Sequence, residues 1–459
     1  MSLSIHNDTI LLCFVLFKSI QVKLMAGDGE HVAIDVPQLS TFRNMVSHNF
    51  VMYNDQLSIF RIPGILYRNN EKAYSPTGFS IGPWHCRERH LQATQVIKVN
   101  YLEGLILRLK DPNLLGKLQE EIRQVEGEAR KCYASPIDLC PEEFVNILVL
   151  DGCFIIEFLL KYAGMVSKHK DPIFTTSYML QYLYHDLILL ENQVPWLVLE
   201  LLFWFIEGTN RNMDTSADAA IAAKCKLIEL TLKFFRSIFS SNGSPPDAKL
   251  FGSEDLKHIL DLLRLSVVLP FKQSRGSTHQ NKEWQPIPSA SRLNEAGVKF
   301  IKVASNSILD VRFRHGALEM PALLVQETTE TMFRNLISYE QCLPNCRPVI
   351  TSYAKLLDDL IDTTDDIELL GKKEVVDNWL SPDDATLFFN GLYKDAFVKE
   401  FFYPRLCKKL NHHCQRWWPK WRAAYVQNYF SKPWAMAAQI IALVMFVLTF
   451  LQTFFTIKK

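Results

Sequence analysis

The run WAMAAQIIALVMFVLTFLQTFFTI, Trp434 to Ile457, constrains this chain more than any other feature, because it holds no charged side chain across 24 residues. As an α-helix it spans about 36 Å at about 1.5 Å per residue, enough to cross a hydrocarbon core of about 30 Å with some tilt. It is therefore read as a single C-terminal transmembrane helix, with Trp434, Ile440, Leu443, Phe446, Leu451 and Phe455 among its anchoring side chains. The competing assignment, a helix buried in a soluble core, fits the flanks less well. Arg416, Trp417, Trp418, Lys420, Trp421, Arg422 and Lys432 precede the run as a basic and aromatic belt suited to a membrane interface, and only Lys458 and Lys459 follow it. The excess of Lys and Arg upstream places the body on the cytoplasmic side of a tail-anchored, single-pass protein.

The formal net charge of +1 conceals an uneven distribution. No Asp or Glu follows Glu400, and residues 401–459 hold nine of the 50 basic side chains, which leaves 41 basic against 49 acidic residues in the rest. A mildly acidic body offers no electrostatic attraction for nucleic acid. The stretch CQRWWPKWRAAYVQNYFSK (414–432) has a composition that can stack bases. Directly before a membrane run it is read instead as a headgroup contact, worth about 1 kcal/mol per basic residue near anionic lipid. At the other end, ILLCFVLF (10–17) resembles a signal core but lacks a basic segment before it and an A-x-A site after it. Residues 1–30 are thus an extension or a signal sequence; a signal sequence would reverse the orientation and bring the sequons at Asn7 and Asn242 into play. Ten cysteines in 459 residues are too few for a disulfide-dense domain.

With 48% hydrophobic residues and 30 Phe, the chain can fill a large core. Residues 31–100, broken by Pro63, Pro76, Pro83, Gly64, Gly78 and Gly82, read as a loop-rich entry segment. From Pro141 the pattern becomes helical. Pro141 suits the first helical position, Glu142 and Glu143 suit the positive end of the helix dipole, and FVNILVLDGCFIIEFLL (144–160) is apolar on nearly every side, as a central buried helix requires. The block 177–206 is read as two helices meeting at Asn192–Pro195, followed by helices at 218–239 and at 253–267 with Ser253 as N-cap. Polar linkers lie at 240–249 and 272–289. In ILDVRFRHGALEM (308–320) apolar residues alternate on both sides of His315-Gly316, a hairpin pattern. Helices resume at 328–341, 349–361, 371–380 and 383–430. The fold class is mainly α: an N-terminal extension over 1–30, one large α-rich domain with a small β-hairpin over 31–430, and a transmembrane anchor over 431–459.

DDLID (358–362) reproduces the DDxxD spacing that holds magnesium in terpene synthases. On a helix, however, Tyr353, Leu356, Leu357, Leu360 and Ile361 form the apolar stripe, so Asp358, Asp359 and Asp362 should face water beside Asp365, Asp366 and Glu368. A diphosphate site needs its carboxylates inside a cavity. Cys407, His412, His413 and Cys414, and likewise His85, Cys86 and His90, cluster without zinc-ligand spacing. Cys342 and Cys346, with Pro344 between them, are read as part of a loop rather than a redox pair. G-x-S-x-G, P-loop, G-x-G-x-x-G and HExxH motifs are missing. No cofactor, metal or catalytic residue is assigned.

The blocks FRIPGILYRNNEKAYSPTGFSIGPWH (60–85), LVLDGCFIIEFL (148–159), HDLILLENQVPWLVLELL (185–202), IPSASRLNEAGVKF (287–300), LDVRFRHGALEMP (309–321) and ITSYAKLLDDLID (350–362), in that order, resemble the plant domain-of-unknown-function 247 family over roughly residues 31–457. The resemblance implies a plant source, a mostly helical body, a C-terminal transmembrane helix and no catalytic residues; some members are associated with self-incompatibility in grasses. Thr94-Gln95 stands where a Met-Glu pair is usual. The expectation is a non-enzymatic, membrane-tethered recognition or signalling protein. Its partners would be the bilayer and an unidentified protein, met through the loop-rich 60–92 region or the acidic side of 358–368. The competing expectation is a metal-dependent enzyme acting on a diphosphate or lipid-like substrate through the DDLID carboxylates.

Overall fold

A computed structural model describes residues 56–210, 217–236, 246–275, 284–415 and 433–457. Residues 1–30 and the expected boundary at 31 lie outside these. The longer helices are numbered here in chain order. The third, α3 (Pro141–Tyr162), occupies the centre. Pro141 takes the first helical position as expected. The cap is reciprocal: the Glu143 N–H donates to Cys140 Sγ, and the Cys140 N–H donates to the Glu143 carboxylate. From Asp151 to Leu160 every residue is buried, because α1 (Gln92–Leu109), α2 (Leu114–Gln124), α5 (Trp196–Asn210) and α6 (Ala217–Phe234) all pack on this helix. Gly152 makes the closest approach possible. A Cβ there would lie 2.4 Å from Leu202 Cδ1 and would have to displace the end of that side chain.

The first long helix begins earlier than expected, at Gln92 instead of Pro141. The buried face of α1 is Thr94, Lys98, Tyr101 and Leu105. Two of these are polar, which hides the amphipathic period. Within 177–206 the two helices are α4 (Ser177–Asp186) and α5, separated by the irregular stretch 187–195 rather than by a short kink. Ser253 does not cap the next helix: α7 starts six residues later (Ile259–Arg275). The cap is the buried His258, whose Nδ1 accepts the Asp261 N–H at 3.2 Å while Nε2 donates to the Ser58 carbonyl at 3.0 Å. This neutral imidazole ties the helix start to the entry segment.

The hairpin is present as β2 (Arg312–Arg314) and β3 (Ala317–Met320), paired antiparallel with Arg314 opposite Ala317. His315 and Gly316 take φ of 51° and 77°, the left-handed pair that a two-residue hairpin turn needs. Unforeseen was β1 (Lys299–Lys302), which pairs parallel with β3 to give the order β1-β3-β2. A second parallel pair joins β4 (Leu323–Val325) to β5 (Val376–Asn378). Further on, α8 (Glu327–Cys342) and α9 (Val349–Leu360) match the expected helices within a residue; Cys342 is the last residue of α8 instead of part of a loop, and Cys346 lies in the loop after it as expected.

The expected helix at 371–380 is replaced. Here α10 (Thr364–Lys372) ends, Glu374 turns at φ 57°, and the β-branched Val375 and Val376 enter the buried sheet edge. In place of one helix over 383–430 there are α11 (Pro382–Leu392) and α12 (Pro404–Gln415), with Asp395 at φ 61° between them; 416–432 lies outside the described residues. The chain closes with α13 (Pro433–Ile457).

Burial lowers the His258 pKa from its ordinary value near 6.5 to about 3, against the small opposing effect of its bond to Ser58. Between these values the unfolded chain binds a proton that the folded chain refuses, so stability falls as the pH drops below about 6.5. At pH 5 the loss from this one group is about 2 kcal/mol. Denaturant titrations at pH 7 and pH 5 should show that loss in the wild type and should show it missing from His258→Gln, whatever the variant's stability at pH 7.

Candidate functional site

The side chains of α13 are described at residues 441–454 and 456. All of them are exposed, including Leu443, Phe446 and Leu451. Exposure runs through consecutive positions from Ile441 to Leu448, so the helix presents apolar groups on every side instead of one face toward a core. The hydroxyls of Thr449, Thr453 and Thr456 donate to carbonyls one turn back, at 2.8, 2.8 and 2.7 Å, and so need no solvent partner. Among the residues whose side chains are described, no helix is long and apolar enough to cross a membrane. The backbone of α13 runs the full 25 residues without a charged residue. Trp434, Ile440 and Phe455 lie within the helix at positions whose side chains are not described, and Arg416, Trp417, Trp418, Lys420, Trp421, Arg422 and Lys432 lie outside the described residues.

The DDLID carboxylates do not form the arrangement expected of them. The apolar stripe is as read: Tyr353, Leu356, Leu357, Leu360 and Ile361 are fully buried. The helix ends at Leu360, however, so Asp362 leaves the shared surface and is exposed beyond it. Asp359 is turned inward, not toward water. Its side chain is 6% exposed, its Oδ1 receives the Lys355 ammonium at 2.8 Å, and its Oδ2 receives the Ile287 N–H at 3.4 Å. Asp358 takes the same ammonium at 2.7 Å. Lys355 itself lies over the rings of Trp284 and Tyr393, 5.1 and 5.2 Å from their centroids. An ammonium therefore holds the place between the two carboxylates where a metal would sit.

Burial raises the Asp359 pKa, with Lys355 pulling it back, and the two carboxylates more than offset burial at Lys355, whose pKa is raised. Asp366 is fully buried and serves as a cap: its carboxylate accepts the N–H groups of Ser291, Asp362 and Thr363 at 2.7, 3.1 and 3.0 Å. Burial raises its pKa, but these bonds outweigh it and leave the pKa below the usual carboxylate value. Only Asp362, Asp365 and Glu368 remain exposed on this acidic side. Among the described residues no group of three or more His, Cys, Asp or Glu is placed to hold a metal ion. The early cluster is dispersed in local bonds, His85 to Glu88 at 2.5 Å and the Cys86 thiol to the Pro83 carbonyl at 3.0 Å.

The 60–92 segment, nominated as a contact surface, is in large part internal. Phe79, Ser80 and Ile81 are buried and lie outside helices and strands, so their backbone groups need other partners. Asp186 accepts the N–H groups of Thr77, Gly78 and Phe79 at 2.7, 2.8 and 2.6 Å. Asn192 accepts from Ile81 at 2.6 Å and donates to Phe79 at 2.9 Å. Asp151 accepts from Gly82 at 2.8 Å and binds the buried Lys98 ammonium, which also donates to the Ser80 carbonyl. Thr94 and Gln95 serve the same segment, bonding Gly78 O at 2.6 Å and Ser80 Oγ at 2.7 Å. These residues form a structural lattice that spacing in the sequence did not announce. What the surface does offer is a cavity of about 470 Å³ between α4 and the start of α8, walled by Tyr162, Tyr184, Phe234 and Trp379 with Gln181 and Glu327.

Residues 59–448 match the family described as a plant protein of unknown function, and the chain belongs to that family. Two Arabidopsis thaliana proteins are similar along most of their length. UPF0481 protein At3g47200 is 27% identical over 86% of this chain and 85% of its own. Putative UPF0481 protein At3g02645 is 24% identical over 87% of this chain and 90% of its own. No solved structure matches.

The Lys355 arrangement makes a separable prediction. Lys355→Met strands a nearly buried carboxylate and should cost about 3 kcal/mol in denaturant titration. Adding Asp359→Leu should restore most of that loss, and calorimetry of the wild type with magnesium should show no saturable heat. A magnesium isotherm abolished by Asp358→Ala with Asp359→Ala would make the carboxylates a metal site.

Proposed function

We propose that the protein is a non-enzymatic, membrane-tethered plant protein whose helical body serves recognition or signalling on the cytoplasmic face of a bilayer. The observation that carries this reading is α13: an uncharged helix of 25 residues whose described side chains are exposed and, apart from Gln452, apolar or internally bonded. In water such a surface is strongly disfavoured, at about 25 cal/mol per Å² of apolar area, whereas in hydrocarbon it is not. The length suits one crossing, about 37 Å against about 30 Å of core. The seven basic residues between Arg405 and Lys432, against two after the run, favour a cytoplasmic body. The absence of catalysis is supported by the occupation of the DDLID carboxylates by Lys355. Recognition is supported by the aromatic cavity beside Trp379, an exposed ring at its rim.

After an alkaline carbonate wash of plant microsomes, the intact chain should stay in the pellet and the chain lacking 434–459 should move to the supernatant. A truncated chain that still pellets would end the membrane reading. Protease added to sealed microsomes should digest a tag on the body; a protected tag would reverse the orientation.

A further inference from the structure

The hairpin turn and the end of α12 enclose a cleft of about 430 Å³ lined by Phe313, Arg314, His315, Gly316, Lys409, His412 and His413. Its floor is aromatic. The Phe313 ring meets the His413 imidazole edge to face at 5.4 Å, and a Cβ on Gly316 would lie 3.4 Å from His413 Cε1, so the left-handed turn sits directly on that ring. Its rim carries the cations Arg314 and Lys409 and the imidazoles of His315 and His412, all exposed.

The neighbouring Arg312 is neutralised by both oxygens of Asp310, at 2.8 and 2.6 Å. Among the described residues no carboxylate is paired with Arg314, Lys409 or His412, and no Asp or Glu follows Glu400 along the chain. A planar guanidinium, an ammonium and imidazole nitrogens lining one cleft beside aromatic rings match a phosphate dianion in charge and in donor type. The floor also lowers the local dielectric and strengthens the attraction.

We infer that this cleft binds a phosphate group, carried either by a lipid headgroup or by a soluble phosphomonoester. Its volume exceeds what phosphate alone fills and leaves room for the carrier. α12 ends at Gln415 and α13 begins at Pro433. The cleft and the anchoring helix are thus joined by a segment that reaches at most about 60 Å when extended, which keeps a headgroup within range under the membrane reading. The inference does not rest on that reading, because a soluble phosphate would bind the same donors.

The test is thermophoresis of the full chain in zwitterionic detergent with three probes: dioctanoyl phosphatidylinositol 4-phosphate, inositol 1,4-bisphosphate and dioctanoyl phosphatidylcholine. Saturable binding of the first two and none of the third is expected. Arg314→Ala with Lys409→Ala should weaken it roughly 10- to 30-fold, while Arg314→Lys with Lys409→Arg should keep most of it. Both pairs are on the surface, and an unchanged melting temperature should confirm the fold. Preference for the lipid probe identifies a headgroup as the source; equal affinity identifies a soluble phosphate. Absence of saturable binding, or binding unchanged in the double alanine variant, overturns the inference.

Discussion

The body depends on how one irregular buried stretch is paid for in hydrogen bonds. Residues 77–82 run without helix or strand, largely through the interior, so the N–H groups of Thr77, Gly78, Phe79, Ile81 and Gly82 need partners that no helix or sheet supplies. Side chains answer them one by one: Asp186 for three N–H groups, Asn192 for a fourth, Asp151 for a fifth. Each of those side chains belongs to a different part of the fold, with Asp151 in the middle of α3, Asp186 at the end of α4 and Asn192 in the irregular stretch after it. The entry segment thereby ties the central helix to α4 and to the stretch that follows it.

Lys98 completes this lattice at a cost. Burial alone would favour the neutral carboxyl at Asp151, and its pKa is raised despite the ammonium 2.5 Å away. A buried ion pair of this kind stabilises little in net terms against an apolar pair of the same shape. What it supplies is selectivity. The ammonium is also bonded to the Ser80 carbonyl and the carboxylate to the Gly82 N–H, so both charges are satisfied only in one register of loop on helix. Gly82 enforces the same register sterically, since at φ 76° a Cβ would fall 2.4 Å from the Gln193 carbonyl.

This explains what could be read from the chain alone. Where burial follows a simple pattern it was legible: α3, apolar on nearly every side, the stripe on α9 and the alternation around His315-Gly316 all appear where the pattern put them. Where a polar residue does the structural work it was not. α1 buries a Thr and a Lys, α7 is capped by a histidine, and Asp366, which looks like part of a solvated acidic run, is fully enclosed by backbone donors. The parallel strands β1, β4 and β5 were equally silent, being three or four residues long and paired over distances that no local pattern encodes. The site residues divide the same way. The uncharged C-terminal helix announces itself by composition, whereas the fate of Asp359 depends on Lys355 and Ile287, and the basic cleft on two segments nearly a hundred residues apart.

The same contrast separates the body from its tail. Inside the body, buried charges meet counter-charges of the chain itself: Lys98 with Asp151, Glu157 with Arg108, Arg264 with Glu340. After Glu400 there is no carboxylate along the chain with which to repeat that solution. Cations there must draw counter-charge from the body or from the surroundings, and under the proposed membrane tethering an anionic headgroup layer would provide it without demanding one geometry, at about 1 kcal/mol for each basic residue. On the proposed reading the two halves of the tail then act on different quantities. The uncharged helix sets how firmly the body is held, because its partition scales with apolar area. The basic approach sets which way the body faces and what it holds at the surface, because charge, unlike hydrophobicity, distinguishes one side of a bilayer from the other.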